Sequence, residues 1–188
     1  MTVLRKVILA NDNLNSLGID LTTRVPIGID YAHHEIHSGS HYFICGYDSF
    51  DAADDIDFQV VTPAGLKRAH MTFNFQSTGE TVFSIYEDAD FDLDGTTVTP
   101  RNNNRNCDDD SMLTVQYDGT VNAAGTLIYS ASFGFTDNPT RSSGGVALRE
   151  NEIILKADAS YRFFVESNSA ANIITYCGEW YEHTDKSD

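Results

Sequence analysis

The sequence predicts an all-β protein, an antiparallel two-sheet sandwich of jelly-roll type with an extended N-terminal arm. Two observations predict this class. Apolar and polar residues alternate with period two in many short segments, which is typical of half-buried strands. Turn-forming residues separate these segments at the intervals of a sandwich, and no helical period lasts longer than a turn or two. Two packed sheets would cover the aromatic faces of both.

The clearest alternation lies in residues 151–183, which we interpret as three strands of one antiparallel sheet joined by two short polar turns. The apolar positions of these strands include Phe163, Ile174 and Trp180, the last being the only tryptophan of the chain. We expect Phe163, Ile174 and, from an earlier strand, Phe73 to lie in the core, because each occupies the apolar parity of its strand.

Further strands are predicted across the middle of the chain. They cover residues 33–37, 41–49, 57–62, 68–76, 81–87, 112–117 and 126–135. Residues 77–80 favour a hairpin turn between two of them. Residues 88–110 and 136–145 are predicted to be polar loops, because turn-forming residues dominate both.

The first 30 residues differ from the rest, so we predict an arm over residues 1–30 and a sandwich domain over residues 31–188. Apolar side chains of the arm would be an aggregation hazard if they stayed exposed, so we expect them to be paired or covered. Either the protein's own sheet or, by strand addition, a neighbouring chain could cover them. The candidate contact residues are Val7, Ile8, Leu9, Val25 and Ile27.

The charge excludes two classes of partner. With 28 acidic and 12 basic residues the formal net charge is −16. Phosphate backbones and anionic membranes repel such a chain, so we expect neither a nucleic-acid partner nor a membrane partner. The apolar run at residues 7–10 is too short for a signal-peptide core, and no stretch reaches transmembrane length. We therefore expect synthesis in the cytoplasm.

The three cysteines, Cys45, Cys107 and Cys177, are widely spaced and odd in number. Two of them could pair, but the simpler expectation is buried free thiols. Catalytic motifs such as G-x-S-x-G are absent from the sequence, and no cysteine has an activating neighbour in sequence. The prediction is therefore a protein that is not an enzyme and needs no cofactor.

Two segments resemble parts of metal sites. In a strand, His33, Glu35 and His37 would share one face, which suits a metal ion or a pH switch, although a polar outer face is the simpler interpretation. Asp90, Asp92 and Asp94 before Gly95 match the first half of a calcium loop, but the glutamate expected later in such a loop is missing. A hairpin turn at Asp94–Gly95 is the alternative.

Several segments together resemble a family of tailed-bacteriophage virion proteins. They are DYAHHEIHSGSH at 30–41, FSIYE at 83–87, the turn DGT at 94–96, NNNRN at 102–106, SGG at 143–145, NEIILK at 151–156 and WYEHTDK at 180–186. Together these segments span nearly the whole predicted domain, and the resemblance rests on their order and spacing. The resemblance implies a head-associated protein, a decoration or cement protein on the capsid exterior.

From this resemblance we expect the virion capsid surface as the location and the major capsid protein as the partner. By analogy with decoration proteins of the jelly-roll type, we also expect the protein to associate with itself as a homotrimer. The alternative, from another class, is a receptor-binding or carbohydrate-binding jelly-roll module of a phage tail or fibre. Exposed aromatic side chains, first of all Trp180 and Tyr181, would support that alternative. We expect Trp180 to pack in the core instead, because large aromatic side chains are mostly buried in small sandwiches.

Overall fold

A computed structural model describes residues 18–19, 26–27, 31–134, 143–145 and 152–184. In chain order the elements are β1 (Gly18–Ile19), β2 (Pro26–Ile27), α1 (Tyr31–Ser38), β3 (His41–Phe50), β4 (Asp55–Thr62), β5 (Lys67–Ser77), β6 (Thr81–Glu87), β7 (Asp90–Leu93), β8 (Thr96–Val98), β9 (Arg101–Asn102), β10 (Thr114–Tyr117), β11 (Thr120–Ala123), β12 (Thr126–Phe133), β13 (Ser143–Gly145), β14 (Ile153–Ile154), β15 (Ala159–Ser167) and β16 (Asn172–Thr184). Over these residues, no helix has the length and apolar character needed to cross a membrane.

Two antiparallel sheets form the body of the protein. The first sheet has the strand order β12-β6-β15-β4-β10-β8. The second sheet has the order β13-β5-β16-β3-β9, and β14 also pairs with β5. The apolar faces of both sheets contribute to one cluster of buried side chains. The prediction of an all-β antiparallel sandwich is therefore confirmed, and its jelly-roll connectivity stays a prediction.

Aromatic side chains join the two sheets across the core. The ring of Phe73 on β5 lies 5.0 Å from Phe83 and 5.5 Å from Phe163, measured between ring centroids. Phe58 lies 6.3 Å from the same ring. Phe163 and Ile174 are 1% and 0% exposed, and Phe73 packs partly buried against the cluster. The predicted core positions of Phe163 and Ile174 are confirmed, because alternate residues of each strand point into the sandwich. Phe73 faces the core but is only partly buried.

The chain changes sheet at connections that we expected to stay within one. Residues 78–80 lead from β5 in the second sheet to β6 in the first, so the predicted hairpin is wrong. The last three strands are also split, since β14 and β16 pair with β5 whereas β15 pairs with β4 and β6. A short polar turn can join two neighbouring strands of one sheet or lead from one sheet to the other. The second arrangement forms here because it lets the apolar faces of both sheets be buried against each other.

Buried Asn172 holds these crossovers together at one end of the sandwich. Its side-chain oxygen accepts a hydrogen bond from the backbone nitrogen of Gly79 at 2.7 Å. Its side-chain nitrogen donates to Thr81 Oγ1 at 2.9 Å and to Ser167 Oγ at 3.1 Å. One buried side chain therefore joins polar groups at both crossovers by hydrogen bonds.

Strands also form within residues 88–110, which the sequence predicted to be a loop. β7 pairs with β11, β8 pairs with β10, and β9 pairs with β3. The loop prediction is wrong because these short strands are stabilised by partners elsewhere in the chain and lack a strong apolar alternation of their own. The turn at Asp94–Gly95 joins β7 to β8, which pair with different strands, so it is not a hairpin.

The predicted strand over residues 33–37 is instead part of helix α1. Gly39 follows the helix in the left-handed conformation, with φ of +80°. The backbone nitrogen of Ser40 donates to the carbonyl oxygen of Glu35 at 3.0 Å, which completes the glycine-based C-terminal cap. The buried side of the helix carries Glu35. The strand prediction is wrong because a short polar segment has no decisive period and its cap and tertiary contacts select the helix.

Little of the predicted arm lies within the described residues. Among the described residues, β1 pairs with β2 alone, and these two strands form a sheet of their own. Ile27 belongs to β2, opposite Gly18. Val7, Ile8, Leu9 and Val25 lie outside the described residues, as does most of the predicted loop 136–145. Residues 143–145 of that loop form β13, which pairs with β5.

Candidate interaction surface

Strand β12 presents three consecutive exposed apolar residues, which we call the β12 strip: Leu127, Ile128 and Tyr129. Their side chains are 53%, 42% and 44% exposed. Within the described part of the chain, β12 is the edge of the first sheet and pairs with β6 alone. Its outer backbone groups are therefore a template for another strand. An eight-residue edge with adjacent apolar side chains is the kind of surface that binds an extended segment.

Local geometry places the strip at this edge. Gly125, just before β12, has a φ of +86°, and a Cβ there would lie 2.4 Å from the carbonyl oxygen of Glu87. Only glycine fits this bend, which separates β11 from β12. A register shift follows between Leu127 and Tyr129, so that Ile128 is the additional residue on β12. Such a bulge disturbs the regular alternation and turns neighbouring side chains outward.

The remainder of β12 is held firmly on β6. Ser130 and Ser84 share a hydrogen bond of 3.0 Å between their hydroxyl oxygens. The Tyr129 ring lies 5.9 Å from the buried ring of Phe83. The strip is consequently a preformed surface on a packed strand, which lowers the conformational entropy lost when a partner binds.

The outer face of the first sheet carries an ion pair between a buried carboxylate and a half-buried guanidinium. Arg162 on β15 donates from Nε and Nη2 to the two carboxylate oxygens of Asp57 on β4, and the bond from Nη2 is 2.8 Å. The guanidinium also lies over Phe164, 4.1 Å from the ring centroid. Burial by itself lowers the pKa of Arg162, but the hydrogen bonds to Asp57 and its charge raise the pKa overall. The arrangement fixes β15 against β4 and keeps this face rigid.

The outer face of the second sheet carries a compact group of acid–base side chains. His70 Nδ1 lies 2.7 Å from Glu152 Oε1, and the Tyr181 hydroxyl donates to the same oxygen at 2.8 Å. The His70 ring stacks on Tyr181 at 4.7 Å and lies 4.3 Å from the ring of His183. This group can hold or move protons.

His41 lies at the end of this face, close to α1. Asn103 Nδ2 donates to His41 Nδ1 at 2.8 Å, so that ring nitrogen acts as an acceptor. Burial lowers the pKa of His41 although the charges of Glu179 and Glu35 oppose the change. The folded protein therefore favours a neutral imidazole at this position.

A disulfide joins the two strands at the exposed part of the same face. Cys45 on β3 and Cys177 on β16 are directly opposite each other, with their Cα atoms 4.2 Å apart. The expectation of buried free thiols is wrong for this pair, and Cys45 is exposed. Cys107 is free and partly buried. Only the strand register brings together two cysteines that are 132 positions apart in sequence.

The two predicted metal segments are not assembled as expected. His33 and His37 share the exposed side of α1, whereas Glu35 is buried. Asp90 accepts a hydrogen bond of 2.6 Å from Asn122 Nδ2. Over the residues that the structure describes, no three histidine, cysteine, aspartate or glutamate side chains come together around a point, and this applies to Asp90, Asp92 and Asp94. The half-motif of the sequence is thus not completed by the fold.

The aromatic side chains proposed for a carbohydrate platform lie inside the protein. Trp180 is 0% exposed and Tyr181 is 6% exposed. Trp180 Nε1 donates to Glu182 Oε1 at 3.0 Å, and Ser111 Oγ donates to the same oxygen at 2.6 Å. These contacts give Trp180 a structural role, because its indole nitrogen is satisfied by a buried carboxylate.

Comparison of the chain with protein-family models, with curated proteins and with solved structures finds no match in any of the three. The β12 strip was missed by the sequence analysis, which placed Leu127 and Tyr129 on a regularly alternating strand. The available signal was the run of three apolar residues in a segment otherwise rich in serine, threonine and glycine. Such a run contradicts a simple alternation and indicates a bulge or an exposed edge.

Proposed function

We propose that the protein is a structural virion component of a tailed bacteriophage that decorates the capsid exterior and cements it through protein–protein contacts. The observation that carries the proposal is the β12 strip, an apolar edge strand on a rigid sandwich. The sequence resemblance supports the phage setting. Protein contacts are the expected chemistry of this surface, since three adjacent apolar side chains are exposed on it.

The contact combines two parts of the chain. The N-terminal arm supplies apolar residues at alternate positions, such as Val7 and Leu9 or Val25 and Ile27. The β12 strip supplies a sheet edge with exposed apolar side chains. We propose that the arm of one copy adds as a strand to β12 of its neighbour, which links copies into a homotrimer bound to the major capsid protein. Backbone hydrogen bonds then provide affinity and apolar side chains provide register.

The acidic charge explains why such a contact has to be apolar. Copies with a net charge of −16 repel each other at the high local density of a shell. Burial of apolar surface is insensitive to that repulsion once the strands meet. Added salt screens the repulsion over roughly 8–10 Å. Association of copies should therefore strengthen as the salt concentration rises, whereas a contact based on opposite charges would weaken.

The test is deletion of residues 1–28 combined with point variants of the strip. Purified capsids that lack the protein are mixed with each variant, and copies bound per capsid protein are counted. We expect the deletion and Ile128→Lys to abolish binding, while both proteins keep the wild-type melting transition. Leu66→Lys is the matched control, because Leu66 is 77% exposed in the connection between β4 and β5.

The outcomes separate the parts of the proposal. Full capsid binding by the deletion variant would contradict the role of the arm. Wild-type binding by Ile128→Lys would contradict the role of β12. A deletion variant that does not fold would show that the arm belongs to the protein's own sheets, and the contact would then be sought among the exposed loops. Equal losses from Ile128→Lys and Leu66→Lys would indicate a general charge effect.

A further inference from the structure

The exposed side of α1 carries two histidines one helical turn apart. His33 Nε2 and His37 Nε2 are 3.1 Å from each other. Their ring centroids are 4.7 Å apart and the ring planes cross at 77°. Both side chains are exposed, so an ion can reach the two nitrogens from solvent. We propose that this pair is a binding site for a divalent first-row transition-metal ion of the zinc class.

The distance between the nitrogens suits one shared ion. Zinc binds imidazole nitrogen at about 2.0–2.1 Å with tetrahedral angles, which places two ligand nitrogens about 3.3 Å apart. The observed distance between the two Nε2 atoms is 3.1 Å, and a small rotation of either ring would bring it to this value. Histidines at positions i and i+4 of a helix are also the spacing by which helical zinc sites present two ligands on one face.

The protonation states are compatible with this role. In the neutral pair, one Nε2 carries the hydrogen and donates it to the other. When an ion binds, that hydrogen moves to Nδ1 of the same ring, so both Nε2 atoms offer lone pairs. No net proton is released from neutral rings. Protons compete for the same lone pairs, so binding weakens as the pH falls.

The fold holds the helix that presents the pair. Glu35 lies on the buried side of α1, and the hydroxyls of Ser38 and Ser40 donate to its carboxylate. At the C-terminal end of the helix, Asn104 Nδ2 donates to the carbonyl oxygen of His37 at 3.3 Å. The two ligands are thus preorganised by tertiary contacts, which an isolated eight-residue helix would lack.

The chemistry of the pair sets the class of ion. Two imidazoles favour zinc, nickel or copper, whereas calcium and magnesium prefer oxygen ligands. Across the described part of the chain, no third histidine, cysteine, aspartate or glutamate joins the pair. The remaining coordination positions are therefore left to water or to a ligand other than the described side chains. This inference does not depend on the proposed role in a capsid.

The experiment is calorimetric titration of the full-length, chelator-treated protein with zinc chloride at neutral pH. We expect one ion per chain in the wild type. His33→Ala and His37→Ala should each weaken binding by at least about tenfold, because loss of a ligand costs no less than loss of a supporting contact. His34→Ala is the matched control, since His34 is exposed on the same helix and lies outside the pair. It should bind zinc as the wild type does.

A second measurement reports on the ligands directly. In histidine-selective nitrogen NMR spectra of the wild type, zinc should shift the Nε2 signals of His33 and His37 and leave those of His34 in place. Far-UV circular dichroism checks that each variant is folded. The proposal is overturned if the wild type binds no zinc, if His33→Ala and His37→Ala both bind it normally, or if His34→Ala loses it equally.

Discussion

Strands β15 and β12 flank the same neighbour, β6, and both are predicted from the sequence as strands, yet only one of them is buried. On β15, Tyr161 and Phe163 are 0% and 1% exposed. On β12, Leu127 and Tyr129 are 53% and 44% exposed. The first is a central strand with partners on both sides, and the second is an edge strand with a bulge. Burial is therefore decided by position in the sheet as much as by periodicity.

The largest expected effect is on the central strand. Phe163→Ala should lower the free energy of unfolding by about 3–5 kcal/mol, because it leaves a cavity among Phe73 and Phe83. Tyr129→Ala on β12 should cost about 1 kcal/mol or less, since much of its ring is already in water. Urea unfolding followed by tryptophan fluorescence measures both. Equal losses would mean that β12 is as deeply packed as β15.

A smaller effect is expected on the outer face of β15. Arg162→Met leaves the carboxylate of Asp57 buried without its partner, which should cost about 3 kcal/mol, the lower end for a broken buried pair. The control is Lys156→Met, which removes the surface pair between Lys156 and Glu87. That change should leave the unfolding free energy nearly unaltered, because water screens an exposed pair. The comparison fails if both variants behave alike.

A still smaller effect concerns pH and His41 on β3. Because burial lowers the folded-state pKa of His41, its contribution to stability is complete above the unfolded value of about 6.5. That contribution is lost as the pH falls from there towards the folded-state pKa. His41→Gln keeps a partner for Asn103 and should flatten this part of the stability curve. Melting temperatures measured between about pH 7.5 and pH 5 would test it, and an unchanged slope in the variant would contradict the assignment.

The smallest expected effect is that of calcium on the melting temperature, through the aspartates of and beside strand β7. Asp90, Asp92 and Asp94 do not converge with another carboxylate among the described residues. Millimolar calcium chloride should therefore leave the melting temperature unchanged, because an ion stabilises a fold only if the native state binds it. A rise that is abolished in Asp92→Asn would show that the half-motif is a real site.

Much of the sandwich could be predicted from the residues. The inward positions of Phe163, Ile174 and Phe73 follow from alternation, which assigns each side chain to one face of its strand. The candidate surface could be predicted only in part. The apolar character of Leu127, Ile128 and Tyr129 is visible in the sequence, but their exposure depends on the bulge and on which strand has no second partner.

The sequence by itself determined the fold class, the acidic surface and the inward face of the central strands, because these depend on composition and on a local period of two residues. Tertiary structure alone decided which strands meet. It placed β15 and β16 in different sheets, set Cys45 opposite Cys177, and made residues 31–38 a helix that brings His33 to His37. Pairing register and sheet assignment arise from contacts between distant segments, and no local pattern specifies them.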